Sequence, residues 1–371
     1  HKYSIAPWYE FYDTLREVTV EENVTELGSY SFYQYPSLEK VDLSRSTALK
    51  DLNSYTFRGC GRLQQVDFSG CTSLNNTGIF TFSNTGLTTV DLSPCTSLTS
   101  IGNYLFVSCG DLQTVKFPGS ITSIGKESFR YCGLTGKLDL PSTVRSIGES
   151  AFESCTQMEQ VVLPLSVTTI EESAFYGCTA LKEVNLADCT KLETIGVEAF
   201  KLTGLGGTLE FPASIVTIQS SAFEGCSKLT KVDFSGCSML QTIEGGAFDL
   251  GIGTSVTSSN LAEVDFSGCT ALRTIESDAF YGSAKLSEVD LSHCTVLTSI
   301  GSRAFYGCMS NGKPGKLVLP DSVESIGRYA FYSCNGIQET LVLPAALKTI
   351  ESKAFSRIPR LGLWTFLTAV P

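Results

Sequence analysis

The stretch Leu181–Cys226, LKEVNLADCTKLETIGVEAFKLTGLGGTLEFPASIVTIQSSAFEGC, holds nearly two copies of one pattern. The pattern is L-x-x-V-x-L, a short polar turn, an aliphatic pair spaced [LIV]-x-x-I, then x-x-x-A-F. Its most regular mark is a Phe five residues after an aliphatic residue. That mark recurs from Leu27/Phe32 to Ile350/Phe355, fourteen times in all, and every interval but one is 23 to 26 residues. One copy, Thr77/Phe82, carries a polar residue in the aliphatic slot. A short form such as Val161–Phe175 alternates with a longer form such as Val289–Phe305, which inserts residues at the turn.

Elementary patterning assigns each piece. V-x-L alternation is a short strand with its flanking aliphatics inward and its middle residue outward. Pro-x-Ser or Ser-x-Cys after it is a turn. The [LIV]-x-x-I piece reads as a second extended segment, and GxxAFxxC as about one helical turn. No single copy can bury its apolar side, but stacked copies share one continuous core. Strands of successive coils then lie side by side in a parallel sheet at about 4.8 Å spacing.

The consensus LxxVxLPxSVTxIGxxAFxxC resembles the BspA-type leucine-rich repeat, from about Leu15 to Phe366. The long Ser-Gly-Cys form of the turn and the irregular ends depart from it. The resemblance implies an α/β repeat solenoid, curved and right-handed, with a parallel sheet on one face and short helical or irregular turns on the other. It also implies an extracellular setting and use in adhesion or protein binding, without naming a ligand.

On this reading residues 1–17, with Tyr3, Trp8, Tyr9, Phe11 and Tyr12, are a degenerate half-coil that covers the open end of the core; a carbohydrate platform is the alternative. Residues 18–371 are about fourteen repeats in one solenoid, continuing or capped beyond 371. The chain opens at His1 without Met, so a processed or trimmed segment is expected. Two connections are longer than their equivalents, 249–263 and 306–316, and both leave the same edge, where binding often resides.

Composition narrows the partners. The net charge is −11, which disfavours nucleic acid and anionic membranes. The 22 Phe and 14 Tyr argue for a packed core. No apolar run approaches the roughly 20 residues of a membrane span.

All fourteen cysteines fall in two repeat slots. Eight lie three residues after the anchor Phe and six in the long-form turn. Thr85, Thr203, Gly251 and Ser283 fill the same slots elsewhere, a tolerance expected of small buried residues and not of a disulfide framework. Buried free thiols are the expectation; one or two bridges between adjacent coils remain the alternative.

The outward strand positions form a candidate binding surface: Asp42, Asp67, Asp91, Lys116, Asp139, Asn185, Glu210, Asp233, Asp265 and Asp290. In register, the triplets Asp42/Asp67/Asp91 and Asp233/Asp265/Asp290 would set like charges about 5 Å apart. Such carboxylates would raise one another's pKa or recruit a cation such as Ca²⁺, while a solvated sheet face is the plain alternative. Asn23 and Asn75 begin N-x-[ST] sequons at positions the register places outward.

Catalysis is not expected. The two histidines are His1 and His293, the latter in a variable turn slot, and no phosphate loop, nucleophile elbow or zinc spacing occurs. No cofactor is implied. The expectation is a non-catalytic extracellular or cell-surface interaction and adhesion module whose partner is a protein or glycan. A structural subunit of an extracellular filament, sheath or self-associating assembly is the alternative, and a cytosolic scaffold the next.

Overall fold

The structure, a computed structural model, describes residues 8–251, 259–337, 341–358 and 364–366. The chain folds as two compact units, His1–Val167 with Gly177–Leu181, and Thr168–Tyr176 with Lys182–Pro371. Each unit is a parallel β-solenoid in which one sequence repeat makes one coil.

The V-x-L piece forms the first strand of a coil. In the first unit Glu17–Thr19, Lys40–Asp42 and Gln65–Asp67 pair in parallel with Val18, Val41 and Val66 in register. Thr89–Asp91 pairs with Thr114–Lys116, and Gly136–Asp139 with Met158–Val162. The second unit repeats the arrangement with Gly206–Glu210, Lys228–Asp233 and Glu263–Asp265. There Glu288–Asp290 pairs with Lys316–Val318, and Leu341–Leu343 with Trp364–Phe366. Alternation does what the sequence predicts: Val41 and Leu43 are fully buried, and Asp42 between them reaches solvent.

The [LIV]-x-x-I piece ends in a two-residue strand with isoleucine paired to isoleucine. In the second unit these strands run without a break from Thr169–Ile170 to Thr349–Ile350. In the first unit the coil carrying Thr77 has no such strand, only a single bridge between Asn76 and Asp51. The polar residue in the aliphatic slot therefore marks the coil where this ladder is interrupted.

The A-F segment differs from its sequence reading. It contains no helical turn; among the described residues the only helical elements are two three-residue 3-10 turns, Tyr9–Phe11 and Leu186–Asp188. The segment is instead a run of tight turns with left-handed backbone two residues before each anchor Phe. In most coils the residue two after it is left-handed too, as at Ser221 (φ 57°) and Gly225 (φ 75°) around Phe223. This alternation sends every second N–H to the next coil. Ser221 donates to the Gly245 carbonyl at 2.9 Å, Phe223 to Ala247 at 2.8 Å and Gly225 to Asp249 at 2.8 Å. The intervening N–H groups of Ala222, Glu224 and Cys226 close turns within their own coil. A helix would have kept all of these bonds inside one coil.

The anchor rings stack along each unit. Phe200 and Phe223 lie 5.3 Å apart at 3°, and Phe129 and Phe152 5.3 Å apart at 2°. Trp8 lies on Phe32 at 5.3 Å, as a further ring of the same stack would, and its indole N–H donates to the Ser31 carbonyl. Each buried Phe contributes about 1.5–3 kcal/mol by transfer alone, and stacked pairs add about 0.5–1.5 kcal/mol.

All fourteen cysteines are free and buried. The eight in the post-Phe slot share one bond: each thiol meets the carbonyl of the preceding coil's anchor Phe. Cys60 reaches Phe32 O at 3.0 Å, Cys155 reaches Phe129 O at 3.1 Å, and Cys334 reaches Phe305 O at 3.1 Å. Burial pushes the Cys155 thiol up to about 12, so it remains a neutral donor. Thr85 fills the slot with a hydroxyl that bonds the carbonyl of its own Phe82 and touches Cys109. The slot thus selects a small side chain, since Gly251 and a Ser283 hydroxyl without a hydrogen-bond partner also fill it.

Substitutions at two positions probe this turn. Phe200→Ala should destabilise by about 3–5 kcal/mol in urea unfolding, the cost of a cavity in a stacked core. Ser154, held at φ 58°, tests the left-handed requirement, since that conformation costs an ordinary residue about 1–2 kcal/mol. Ser154→Gly should be neutral or stabilising by up to about 1 kcal/mol, and Ser154→Val destabilising by at least that much. Equal stability of the Gly and Val variants would contradict the turn geometry.

Candidate functional site

The outward ladder is present within each unit. Asp42 stands opposite Asp67, Asp91 opposite Lys116, and Asp139 opposite Val162. In the second unit Glu210, Asp233 and Asp265 are consecutive partners. Asp91 and Asp290 head separate sheets, so neither triplet is continuous through main-chain pairing. Asn185 lies directly before the Leu186–Asp188 turn.

The six aspartates share a role that the ladder reading missed. Each lies in a D-x-S turn and accepts the N–H of the serine two residues on. The distances are 2.9 Å for Asp42–Ser44, Asp67–Ser69, Asp233–Ser235 and Asp290–Ser292, 3.0 Å for Asp91–Ser93, and 2.8 Å for Asp265–Ser267. These are Asx turns, in which a short carboxylate replaces a main-chain acceptor. At Asp42, Asp91, Asp233 and Asp290 the expected rise in pKa is reversed accordingly. The bonds from Ser44 and Ser93 hold the Asp42 and Asp91 carboxyls below the usual carboxylate value. At Asp233 and Asp290 burial opposes ionisation, but the bonds from Ser235 and Ser292 outweigh it and these carboxyls are lowered too. The D-x-S spacing was in the sequence and is the signal that could have found this.

Lysines neutralise part of the face. Lys116 bridges Asp91 at 3.1 Å, Lys137 bridges Asp139 at 2.8 Å, and Lys231 bridges both Asp233 at 3.2 Å and Glu263 at 2.7 Å. Among the described residues no group of three or more His, Cys, Asp or Glu side chains is arranged to hold a metal ion. His293 is exposed beside Ser292. Asn23 and Asn75 are both exposed, whereas Thr77 of the second sequon is buried; any glycan on Asn75 would have to be added before this coil closes.

The centre of the 249–263 connection, 252–258, lies outside the described residues. The 306–316 connection is pinned to its neighbours: Ser310 N–H donates to Ala284 O at 3.0 Å, and Asn311 Nδ2 to Lys285 O at 3.3 Å. No membrane-crossing helix occurs among the described residues.

With this coil geometry in view, the family model of the BspA type leucine rich repeat region matches residues 5–98, 78–205, 145–264, 193–311 and 256–369. The chain belongs to the BspA-type leucine-rich repeat family. A leucine-rich repeat protein from Bacteroides ovatus has the same solenoid fold. It shares 20% identity with a TM-score of 0.59, over 93% of this chain and 85% of that one. A leucine rich cell surface protein from Faecalibacterium prausnitzii aligns at 20% identity and TM-score 0.39, over 92% of this chain and 82% of that one. The pneumococcal vaccine antigen PcpA aligns at 17% and 0.42, over 90% and 83%. No curated protein matches the chain.

Two carboxyls of the BspA-type solenoid, Asp249 and Asp278, behave unlike the turn aspartates, both raised by burial. Asp249 follows the anchor Phe248 and is pushed up to about 6 by burial. The Gly251 N–H opposes that rise, and the carboxylates of Glu224 and Asp278 add to it. A carboxyl raised on folding binds its proton more readily in the folded chain. Its ionisation therefore opposes folding above about pH 6, and the penalty vanishes below the unfolded value near 3.8. Asp249→Asn should raise the melting temperature at about pH 7.5 and leave it unchanged at about pH 4. Asp233→Asn should do the opposite at neutral pH, because a lowered carboxyl stabilises above its unfolded pKa and loses that contribution as pH falls through its folded value. Thermal melts of both variants at the two pH values check the signs.

Proposed function

We propose that this chain is a non-catalytic protein-interaction and adhesion module displayed outside the cell, which presents the outward positions of its strands to a protein or glycan. One observation carries the reading. The chemically capable side chains are committed to architecture, with fourteen thiols buried as packing residues and six aspartates closing turns. What remains for a partner is, within each unit, exposed charged side chains at coil spacing, with Lys116 and Asp139 in the first and Glu210 in the second. Loss of a few such side chains abolishes binding where they form the centre of an interface. In the same reading residues 8–17 cover the end of the first unit's core, with Trp8 extending the phenylalanine stack, while residues 1–7, with Tyr3, lie outside the described residues.

The test uses protein from its native source. Intact cells labelled with a membrane-impermeant biotin reagent should yield the labelled chain, and Asn23→Gln and Asn75→Gln should each remove a glycan-dependent mobility shift. A partner recovered by crosslinking should bind at least about tenfold more weakly after charge reversal at Lys116 and Asp139 together, or at Glu210. Exclusion of the biotin reagent from the chain on intact cells would contradict the extracellular reading. A native particle several times the chain mass would move the assignment to a structural subunit.

A further inference from the structure

The strand ladder of the first unit is broken between Gln65–Asp67 and Thr89–Asp91 and again between Thr114–Lys116 and Gly136–Asp139, and the second break opens into a cleft with the chemistry of a binding slot. Across paired coils the residue after the outward position donates its N–H to the carbonyl of the next coil's outward residue. Val20 donates to Asp42, Leu43 to Asp67 and Leu92 to Lys116, each at 2.9 Å, and Leu140 donates to Val162 at 3.3 Å. The next bond in this series would join Phe117 to Asp139, and it is not made. Thr114–Lys116 and Gly136–Asp139 belong to different sheets. Alternate residues of a strand bond to alternate sides. Val115 and Phe117 therefore turn main-chain groups into the gap from one side, and Lys137 and Asp139 from the other.

Burial gives an independent sign of the same opening. Val41 and Leu43 are 0% exposed, and Val90 and Leu92 are 3% and 1% exposed, while Val66, beside the break between Gln65–Asp67 and Thr89–Asp91, is partly exposed. Val115 and Phe117 occupy the same positions and are both partly exposed. Solvent reaches them through a cleft of about 470 Å³ whose floor also includes Leu138 and Leu140, within the range of about 300–1,000 Å³ that holds small ligands and short peptide segments. The rim carries Lys116, Lys137 and Asp139, and Asp91 bridges Lys116, so the acidic surface of a chain of −11 is neutralised here. Lys116 is the one cation in the outward series, and each ammonium has donors left after its single ion pair.

We propose that this gap is a docking slot for an extended, acidic segment of a partner protein. The segment pairs through its main chain with the unpaired edges, places alternate apolar side chains against Val115, Phe117 and Leu138, and points carboxylates at Lys116 and Lys137. Main-chain pairing supplies affinity in such strand addition, and alternate side chains supply selectivity. The proposal rests on the interaction-module reading and gives it one site and one class of partner.

A phage-displayed library of random twelve-residue peptides, selected on the full chain, tests it. The enriched peptides should alternate apolar and acidic residues. As synthetic peptides followed by fluorescence anisotropy, they should bind at least about tenfold more weakly when alternate amides are N-methylated. The same loss should follow from K116E combined with K137E, a surface change whose melting curve should match that of the wild type. Absence of an enriched sequence class overturns the proposal, as does binding that survives either N-methylation or the charge reversal. A concentration-dependent dimer of the wild type that the reversal abolishes also overturns it, by assigning the slot to a second copy. A native partner held through other outward positions, with no peptide in the slot, would leave the interaction reading standing and remove this one.

Discussion

The structure depends on the close approach of successive coils at the anchor phenylalanine. Two left-handed residues flank that Phe in nearly every coil, and the price of that backbone is accepted because it turns three N–H groups towards the next coil's carbonyls. The same approach brings rings to about 5.3 Å and sets each post-Phe side chain under the preceding Phe carbonyl. Ring stacking, main-chain bonds and thiol bonds are therefore one device seen three ways. None of them can be satisfied by a single coil, which is why the pattern has to repeat.

This explains what the sequence disclosed and what it concealed. Strand positions were legible because V-x-L alternation has one geometric meaning, and the inward slots were legible from their aliphatic filling. The turn was not. Ala and Glu beside the anchor Phe favour a helix by propensity, and Glu198, Asp278 and Arg303 give no sign that they adopt positive φ. Neighbouring coils impose that conformation, and neighbours are invisible in one repeat. The cysteine slot was half legible: substitution by Thr85 and Ser283 pointed to size, but the donated proton emerges only with the Phe carbonyl beside it.

The candidate surface shows the opposite error. A column of aspartates invites an electrostatic reading, with like charges raising one another's pKa. The serine two residues on is nearer than the aspartate one coil away in chain terms, and a local turn bond forms regardless of the ladder. Short-range hydrogen bonding decides the protonation of Asp42, Asp91, Asp233 and Asp290, and lysines such as Lys231 neutralise much of the rest. The break between Thr114–Lys116 and Gly136–Asp139 could not be read from the pattern, since both strands carry acceptable residues.

The central claim is that the cysteines are packing residues whose free thiols bond between coils, and thiol counting tests it most directly. Protein purified without reductant should leave Ellman's reagent almost unreacted while folded. After unfolding in guanidinium, again without reductant, it should titrate all fourteen thiols. Fewer than fourteen in the unfolded chain would mean that adjacent coils are covalently joined, and rapid reaction of the folded chain would mean that the coils do not close over their thiols; either result would contradict the account.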